Sequence, residues 1–195
     1  SQLSEPKAIS EKIFIKKDYQ MIVTEEQLDI WLEKLKGADL LAVDTETTSL
    51  DYMEAELVGI SFAIAAGQAV YIPFGHDYLG APKQLAKDLV MTKLKPILEN
   101  PSLKKVGQNL KYDMSVLAQH GILLAGIEFD TMLESYVVDS VATRHDMDSL
   151  AEKYLDEITT KFTDIAGKGV GQLTFNQVAL EHAAPYAAED ADITL

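Results

Sequence analysis

The sequence predicts an α/β domain in which a mixed β-sheet is flanked by helices. Three observations carry this. The run Leu40-Leu41-Ala42-Val43 is continuously apolar, as in a strand buried on both faces. Two further strand-like runs follow, 56–65 (ELVGISFAIA) and 68–74 (QAVYIPF), with Ala66-Gly67 placed for a tight hairpin between them. Beyond them most of the chain carries helical periodicity, with helices between some strands, which is the pattern of a mixed sheet packed by helices.

The 195 residues make one domain, large enough to bury a core without covalent staples. Hydrophobic residues are 47% of the chain, which excludes a disordered protein. There is no cysteine, so disulfides and thiolate metal sites are excluded, and a reducing compartment is in keeping with that. No apolar run is long enough to span a membrane, and no signal peptide is recognisable at the start. The net charge of −14 works against a simple nucleic-acid binder, because the average surface repels phosphate. A nucleic-acid substrate would need metal ions, a local basic patch or a neighbouring domain to supply the attraction.

Residues 1–12 are polar and without period, and are expected to form a flexible lead-in; the domain proper is placed at 13–195. A strand is expected near 19–23. Thr24-Glu25-Glu26-Gln27 then fits a capping box, and Leu28, Trp31, Leu32 and Leu35 give the apolar stripe of a helix closed by Gly37. The segment 75–83 reads as a loop, 85–98 as a helix disturbed by Pro96 in its last turn, and 103–106 as a short strand. Amphipathic helices are expected over 109–120, capped by Gly121, and over 131–141 and 148–155. The glycine-dotted stretch 161–171 is expected to be mobile, and a helical pattern runs from about 180 to 195. It ends without a stop signal, which suggests one domain of a longer protein.

The chemistry-bearing pattern starts at the end of the first apolar run. Asp44 and Glu46 are two residues apart, so on an extended strand they project to one side. Two such carboxylates repel unless a cation lies between them, and an all-oxygen set suits Mg²⁺ or Mn²⁺. On its own an Asp-x-Glu pair is more often the solvated end of a charged strand. Tyr186 and Asp190, four apart in the last helical pattern, share one helix face. From there one group could hold a metal while the other holds a water. Alone, such a pair is ordinary surface decoration. Asp113 adds a further acid in the helix that follows Gly107-Gln108-Asn109.

The segments VDTETTSL, VGQNLKYD, FDTMLESY, RHDMDSLAEKYL, LTFNQVAL and YAAEDADITL occur in this order. Together they resemble the 3′–5′ exonuclease (proofreading) domain of bacterial DNA polymerase I. That family is the tyrosine subtype of the DEDD exonucleases, with a ribonuclease-H-like fold. The resemblance runs from about residue 13 to the end and rests on several spaced motifs. It implies that Asp44, Glu46, Asp113 and Asp190 hold two divalent ions, Mg²⁺ with Mn²⁺ able to substitute. Asp44 would bridge both ions, Glu46 and Asp190 would complete one site, and Asp113 would serve the other through water. Tyr186 would orient the attacking water together with Glu46. Two ions ~3.5–4 Å apart can clamp the attacking and leaving oxygens of a phosphoryl displacement, so no histidine base is needed. His76, His120, His145 and His182 fall outside the matched positions and are read as structural or surface residues.

The same resemblance implies the DNA contacts. Leu50 and Phe162 match apolar side chains that wedge against the terminal bases, with core packing under the 161–171 stretch as the lesser alternative for Phe162. Gln108, Asn109, Tyr112 and Arg144 match positions lining a single-strand groove; Tyr112 fits core packing equally well, and the helix face of Met132 favours core. A mismatched end frays more readily, so the energy of unpairing can act as the filter for errors. Pro185, inside the last helical pattern, is expected to kink or restart it just before Tyr186.

The implied partners are a single-stranded or frayed 3′ end of DNA and a polymerase domain in the same full-length chain. The domain alone would be a monomer, and the protein cytoplasmic, meeting the nucleoid through DNA. Two rivals remain. One is an RNA-trimming exonuclease resembling ribonuclease D, which the motif residues do not separate from the polymerase type, although the intervening segments favour the latter. The other is a non-catalytic domain that only supports a polymerase, against which all four carboxylates and Tyr186 speak.

Overall fold

The computed structural model describes residues 16–141 and 144–195; the lead-in expected over 1–12 lies outside the described residues. Strand β2 (Leu40–Thr47) is paired on both sides within a six-stranded sheet. On one side it runs antiparallel to β3 (Leu57–Ala65), which is antiparallel to β4 (Gln68–Pro73). On the other it runs parallel to β5 (Lys104–Gly107), itself parallel to β6 (Ile127–Asp130). β1 (Asp18–Met21) forms the far edge, parallel to β4. The sheet is therefore mixed, as the order of strand and helix patterns predicts.

The two faces are packed differently. Along β2, Leu41 and Val43 face one side and join Ile60, Phe62, Val70 and Ile72 from the neighbouring strands. Over them lie α1 (Glu25–Lys36), α2 (Lys87–Leu98) and α3 (Leu110–Gln119), contributing Leu28, Trp31, Leu35, Leu94, Val116 and Leu117. The opposite face presents Ala42, Ala63 and Ala69, and against these lie Ala188 and Ala191 of α7 (Leu180–Thr194). Small side chains on both surfaces let the α7 backbone come close to the centre of the sheet. Asp44 follows Ala42 by two residues and so lies on the α7 face, where Asp190 can reach it.

Local signals behave as the sequence suggests where they are strong. Thr24 and Gln27 form the capping box of α1, and the buried positions of that helix are the four of the stripe, Leu28, Trp31, Leu32 and Leu35. Ala66 and Gly67 turn β3 into β4, with Gly67 at φ 77°. Elsewhere tertiary context overrides pattern. α4 (Thr131–Val138) stops short of Val141 because Asp139 adopts φ −157° and ψ 87°, outside the helical region. In place of one helix over 148–155 there is α5 (Met147–Leu150), N-capped by Asp146, running into a π-helical turn (Ala151–Leu155). The stretch 161–171 holds a short helix, α6 (Phe162–Ala166), and one 3₁₀ turn (Gly169–Gly171).

Pro185 does not restart the last helix. α7 is continuous from Leu180 to Thr194, and Pro185 sits on its exposed side in the second turn. Only one interior donor is lost there, and the alanines at 183, 184, 187 and 188 are buried against the sheet and its neighbours.

Candidate active site

Asp44, Glu46 and Asp190 come together at the end of β2. Each offers an oxygen, and these oxygens lie within 4.8 Å of one another. Glu46 and Asp190 are 8% and 9% exposed, while Asp44 keeps an opening to solvent. The strand supplies two of the acids on one face by its two-residue period, and the close-packed α7 delivers the third. Oxygen Oε1 of Glu46 is buried and has no hydrogen-bond partner among the described residues. So is the hydroxyl of Ser61, which lies directly across from Asp44 on β3. A buried carboxylate oxygen without a donor carries a desolvation cost of several kcal/mol unless a cation or water meets it. The donor set is oxygen only, which fits a hard divalent cation such as Mg²⁺ or Mn²⁺.

Asp113 stands behind this triad. It is 2% exposed, in the first turn of α3, and its Oδ1 accepts from the Thr45 amide at 2.9 Å and the Thr45 hydroxyl at 2.6 Å. Asp113 thus holds the residue lying between Asp44 and Glu46, on the far side of the strand from both. The N-terminus of α3 is itself anchored by Asp130, whose carboxylate accepts from the amides of Asn109 and Leu110 and also caps α4. Asn109 takes the left-handed conformation (φ 61°) that lets the chain turn directly from β5 into α3.

All four carboxyls are held above the ordinary carboxylate range. Burial pushes Asp44 up to about 7. For Glu46 burial comes first and the charges of Asp44, Asp190 and Asp113 add to it. Asp113 and Asp190 are likewise raised by burial and then by Asp44. Like-charge repulsion is therefore present, but desolvation is the larger cause. Tyr186, one turn before Asp190, lies against its carboxylate, and burial with the acids around it keeps the phenol protonated. Its ring packs with Phe162 and Phe175, at centroid distances of 6.2 and 6.0 Å.

The other positions singled out in the sequence divide into two groups. Leu50 is 97% exposed just beyond β2. Arg144 is also exposed. By contrast, Phe162 is half-buried in the aromatic cluster and doubles as a packing residue for Tyr186. Tyr112 packs against the main core while its hydroxyl donates to the Ser49 carbonyl at 2.5 Å, fixing the turn that carries Leu50. Gln108 donates to the His145 carbonyl at 2.8 Å and pairs with the Thr131 hydroxyl, so its amide is committed within the protein. Met132 is half-buried rather than core, and α4 contributes no buried residue at all. His145 stacks on Tyr136, and His182 is exposed beside Glu181. A cavity of about 700 Å³ lies elsewhere, between α4, the π turn and the end of α7, and none of the four carboxylates lines it.

Sequence reasoning passed over Thr45, Ser61 and Tyr71. None belongs to a spacing pattern; each matters only through cross-strand or strand-to-helix contact.

Residues 19–195 match the family model described as 3′–5′ exonuclease. The chain is 57% identical over 180 residues to DNA polymerase I of Pseudomonas aeruginosa, covering 91% of this chain and 20% of that protein. It is 43% identical to DNA polymerase I of Rhizobium leguminosarum, covering 86% and 18%. It thus spans about a fifth of the length of these relatives. Among solved structures, ribonuclease D of Trypanosoma brucei superposes with a TM-score of 0.71 at 18% identity, over 90% of this chain and 55% of that one. The NrnC protein of Brucella melitensis gives 0.64 at 21% identity, over 92% and 77%. A polymerase structure from M. smegmatis, titled as the POL domain of Pol1 with DNA primer-template and dNTP, gives 0.60 at 20% identity, over 89% and 27%. These structural likenesses establish the ribonuclease-H-like fold, and the sequence matches establish the family. The chain belongs to the 3′–5′ exonuclease domain family of DNA polymerase I.

Proposed function

We propose that this domain removes nucleotides from the 3′ end of DNA by two-metal-ion hydrolysis, releasing nucleoside 5′-monophosphates, as the proofreading part of a longer polymerase. The observation that carries the reading is the convergence of Asp44, Glu46 and Asp190 around the orphaned Oε1 of Glu46. Asp44, Glu46 and Asp190 would hold one divalent ion, and Asp113 would serve a second from behind Asp44. When bound, such ions supply the positive charge that the −14 surface lacks and offset the negative charge developing on the phosphodiester oxygens. The protein's own groups do the rest. Tyr186, protonated, would position a water against the scissile phosphate together with Glu46. Asp113 would steady the strand through Thr45. Leu50, exposed at the rim, would press on the terminal base, with Phe162 beside Tyr186. Asn109, Tyr112, Gln108 and Arg144 would border the path of the strand, Gln108 and Tyr112 by shaping it.

The relatives are DNA polymerase I proteins, which supports DNA as substrate and a polymerase domain as covalent partner. End-labelled DNA and RNA oligonucleotides, incubated with Mg²⁺, Mn²⁺ or EDTA, test the reading directly. The expected product is a ladder shortening from the 3′ end of DNA, abolished by EDTA. A stronger ladder on RNA favours the ribonuclease-D-like alternative, and no ladder with either metal refutes catalysis.

A further inference from the structure

Two buried side chains, one on the sheet face of the acids and one bonded to it, play no part in the reaction outlined above. Tyr71 is fully buried on β4, and His76, 5% exposed, follows it in the loop after the strand. In the sheet register Asp44 faces Ser61, and Ser61 faces Tyr71, so all three lie on the α7 face. The next position on that face of β3 is Gly59, which lies directly across from Glu46. A Cβ built on Gly59 would stand 2.3 Å from the Tyr71 hydroxyl oxygen. The phenol therefore leans into the slot that a side chain at 59 would fill, beside Glu46. The nearest charges that it senses are those of Glu46 and Asp44. A phenol beside carboxylates can turn its proton toward one of them.

Among the described residues the Tyr71 hydroxyl bonds His76 and none of the acids. The His76 Nδ1 lies 3.0 Å from the Val178 carbonyl oxygen, and its Nε2 lies 2.9 Å from the Tyr71 hydroxyl. A carbonyl oxygen only accepts, so Nδ1 carries the hydrogen. Burial holds the imidazole neutral by lowering its pKa, which leaves Nε2 as an acceptor. The Tyr71 O–H must then point to Nε2 and away from the acids.

We propose that His76 is a positioning residue for the acidic site: anchored on Val178, it draws the Tyr71 hydroxyl proton away and so leaves Oε1 of Glu46 open to a divalent cation. This rests on the metal reading given above. The arrangement also accounts for glycine at 59, where any side chain would displace the phenol. A merely structural role is the alternative, since His76 also packs at 5.5 Å on Phe175 and ties its loop to the entrance of α7. The two roles differ in whether the effect of His76 depends on the Tyr71 hydroxyl.

Mn²⁺ affinity of the chain, measured by titration calorimetry, separates them. His76→Asn keeps a donor near Val178 but offers no acceptor to Tyr71, and should weaken Mn²⁺ binding by about 10-fold or more, as outer partners of metal ligands do. His76→Gln, whose carbonyl can stand near Nε2, should bind close to wild type. Tyr71→Phe should leave affinity unchanged, and adding Tyr71→Phe to His76→Asn should restore it. Equal weakening by His76→Asn in both backgrounds, or none in either, overturns the proposal. Nitrogen NMR of the wild-type imidazole gives an independent check that needs no variant. A protonated Nδ1 with a bare Nε2 is expected, and a protonated Nε2 overturns the proposal. Wild-type protein that binds no Mn²⁺ while showing the expected tautomer refutes the metal reading, and the proposal falls with it.

Discussion

Asp113 holds Thr45 twice, accepting from its backbone amide at 2.9 Å and from its hydroxyl at 2.6 Å with a single oxygen. Thr45 separates Asp44 from Glu46, so one acid of the site fixes the strand that carries two others. Asp113 therefore has a structural duty that its charge does not need.

Two substitutions separate charge from acceptor. Asp113→Asn keeps an oxygen for Thr45 and removes a negative charge from a buried acidic cluster. Its metal-free form should melt at or above wild type. Asp113→Ala leaves two buried Thr45 donors without an acceptor and should cost about 1–3 kcal/mol. Denaturation of both variants in EDTA decides this, and equal losses would mean that Thr45 is not held as described. Both variants should be impaired in DNA cleavage.

Tyr186 should act on water rather than on metal. Its hydroxyl lies against Asp190, and its ring is fixed by Phe162 and Phe175. Tyr186→Phe preserves the ring packing and should lower kcat by roughly 10- to 1,000-fold, the range for one positioned polar group. Mn²⁺ affinity should change little. Calorimetry showing metal binding lost together with activity would make Tyr186 part of the cation site instead.

The paired wedge residues should part company on stability. Leu50 is 97% exposed, so Leu50→Ala should leave the melting temperature within experimental scatter. Phe162 is half-buried against Phe175 and Tyr186, so Phe162→Ala should lower stability by ~1–3 kcal/mol and disturb Tyr186 as well. Both should reduce cleavage of a frayed 3′ end, Leu50→Ala through weaker binding and Phe162→Ala through binding and kcat. A Leu50→Ala protein with unaltered KM on single-stranded ends would remove Leu50 from the substrate path.

What could be read from the sequence was whatever has a period or a local signal. The capping box at Thr24, the alternation that sets Asp44 and Glu46 on one face, and the four-residue step from Tyr186 to Asp190 all survive in three dimensions. β6 escaped notice because Ile127–Asp130 is four residues long, exposed along most of its length, and exists only by pairing with β5. Gln108 was read from the resemblance as lining a single-strand groove, and its commitment to Thr131 and His145 depends on where α4 docks. The hold of Asp113 on Thr45 joins residues 68 apart, and no short-range pattern encodes such a contact. His76 was placed among structural residues, which is true of its burial and silent about the proton it withholds.

The four buried carboxyls should make metal-free stability fall as pH rises. Unfolded aspartate and glutamate titrate near pH 4. In the folded apo protein burial keeps Asp44 protonated up to about 7, and Glu46, Asp113 and Asp190 are raised as well. Between those limits the folded state holds protons that the unfolded chain has released. The slope of unfolding free energy against pH is then negative. The contribution of these groups is fully present below about pH 4 and is lost as pH climbs through their raised folded values, about 7 for Asp44. A divalent ion that binds only the folded state should reverse the trend at neutral pH, adding about 2.7 kcal/mol for one site at a hundred times Kd. Melting temperatures in EDTA should therefore decline from about pH 5 to 7.5, apart from titration elsewhere in the chain, and Asp113→Asn should flatten that decline. Saturating Mn²⁺ at neutral pH should raise the wild-type melting temperature. If Mn²⁺ leaves it unmoved, and the EDTA curve climbs with pH for wild type and Asp113→Asn alike, these acids are structural partners of other groups and the metal site does not exist.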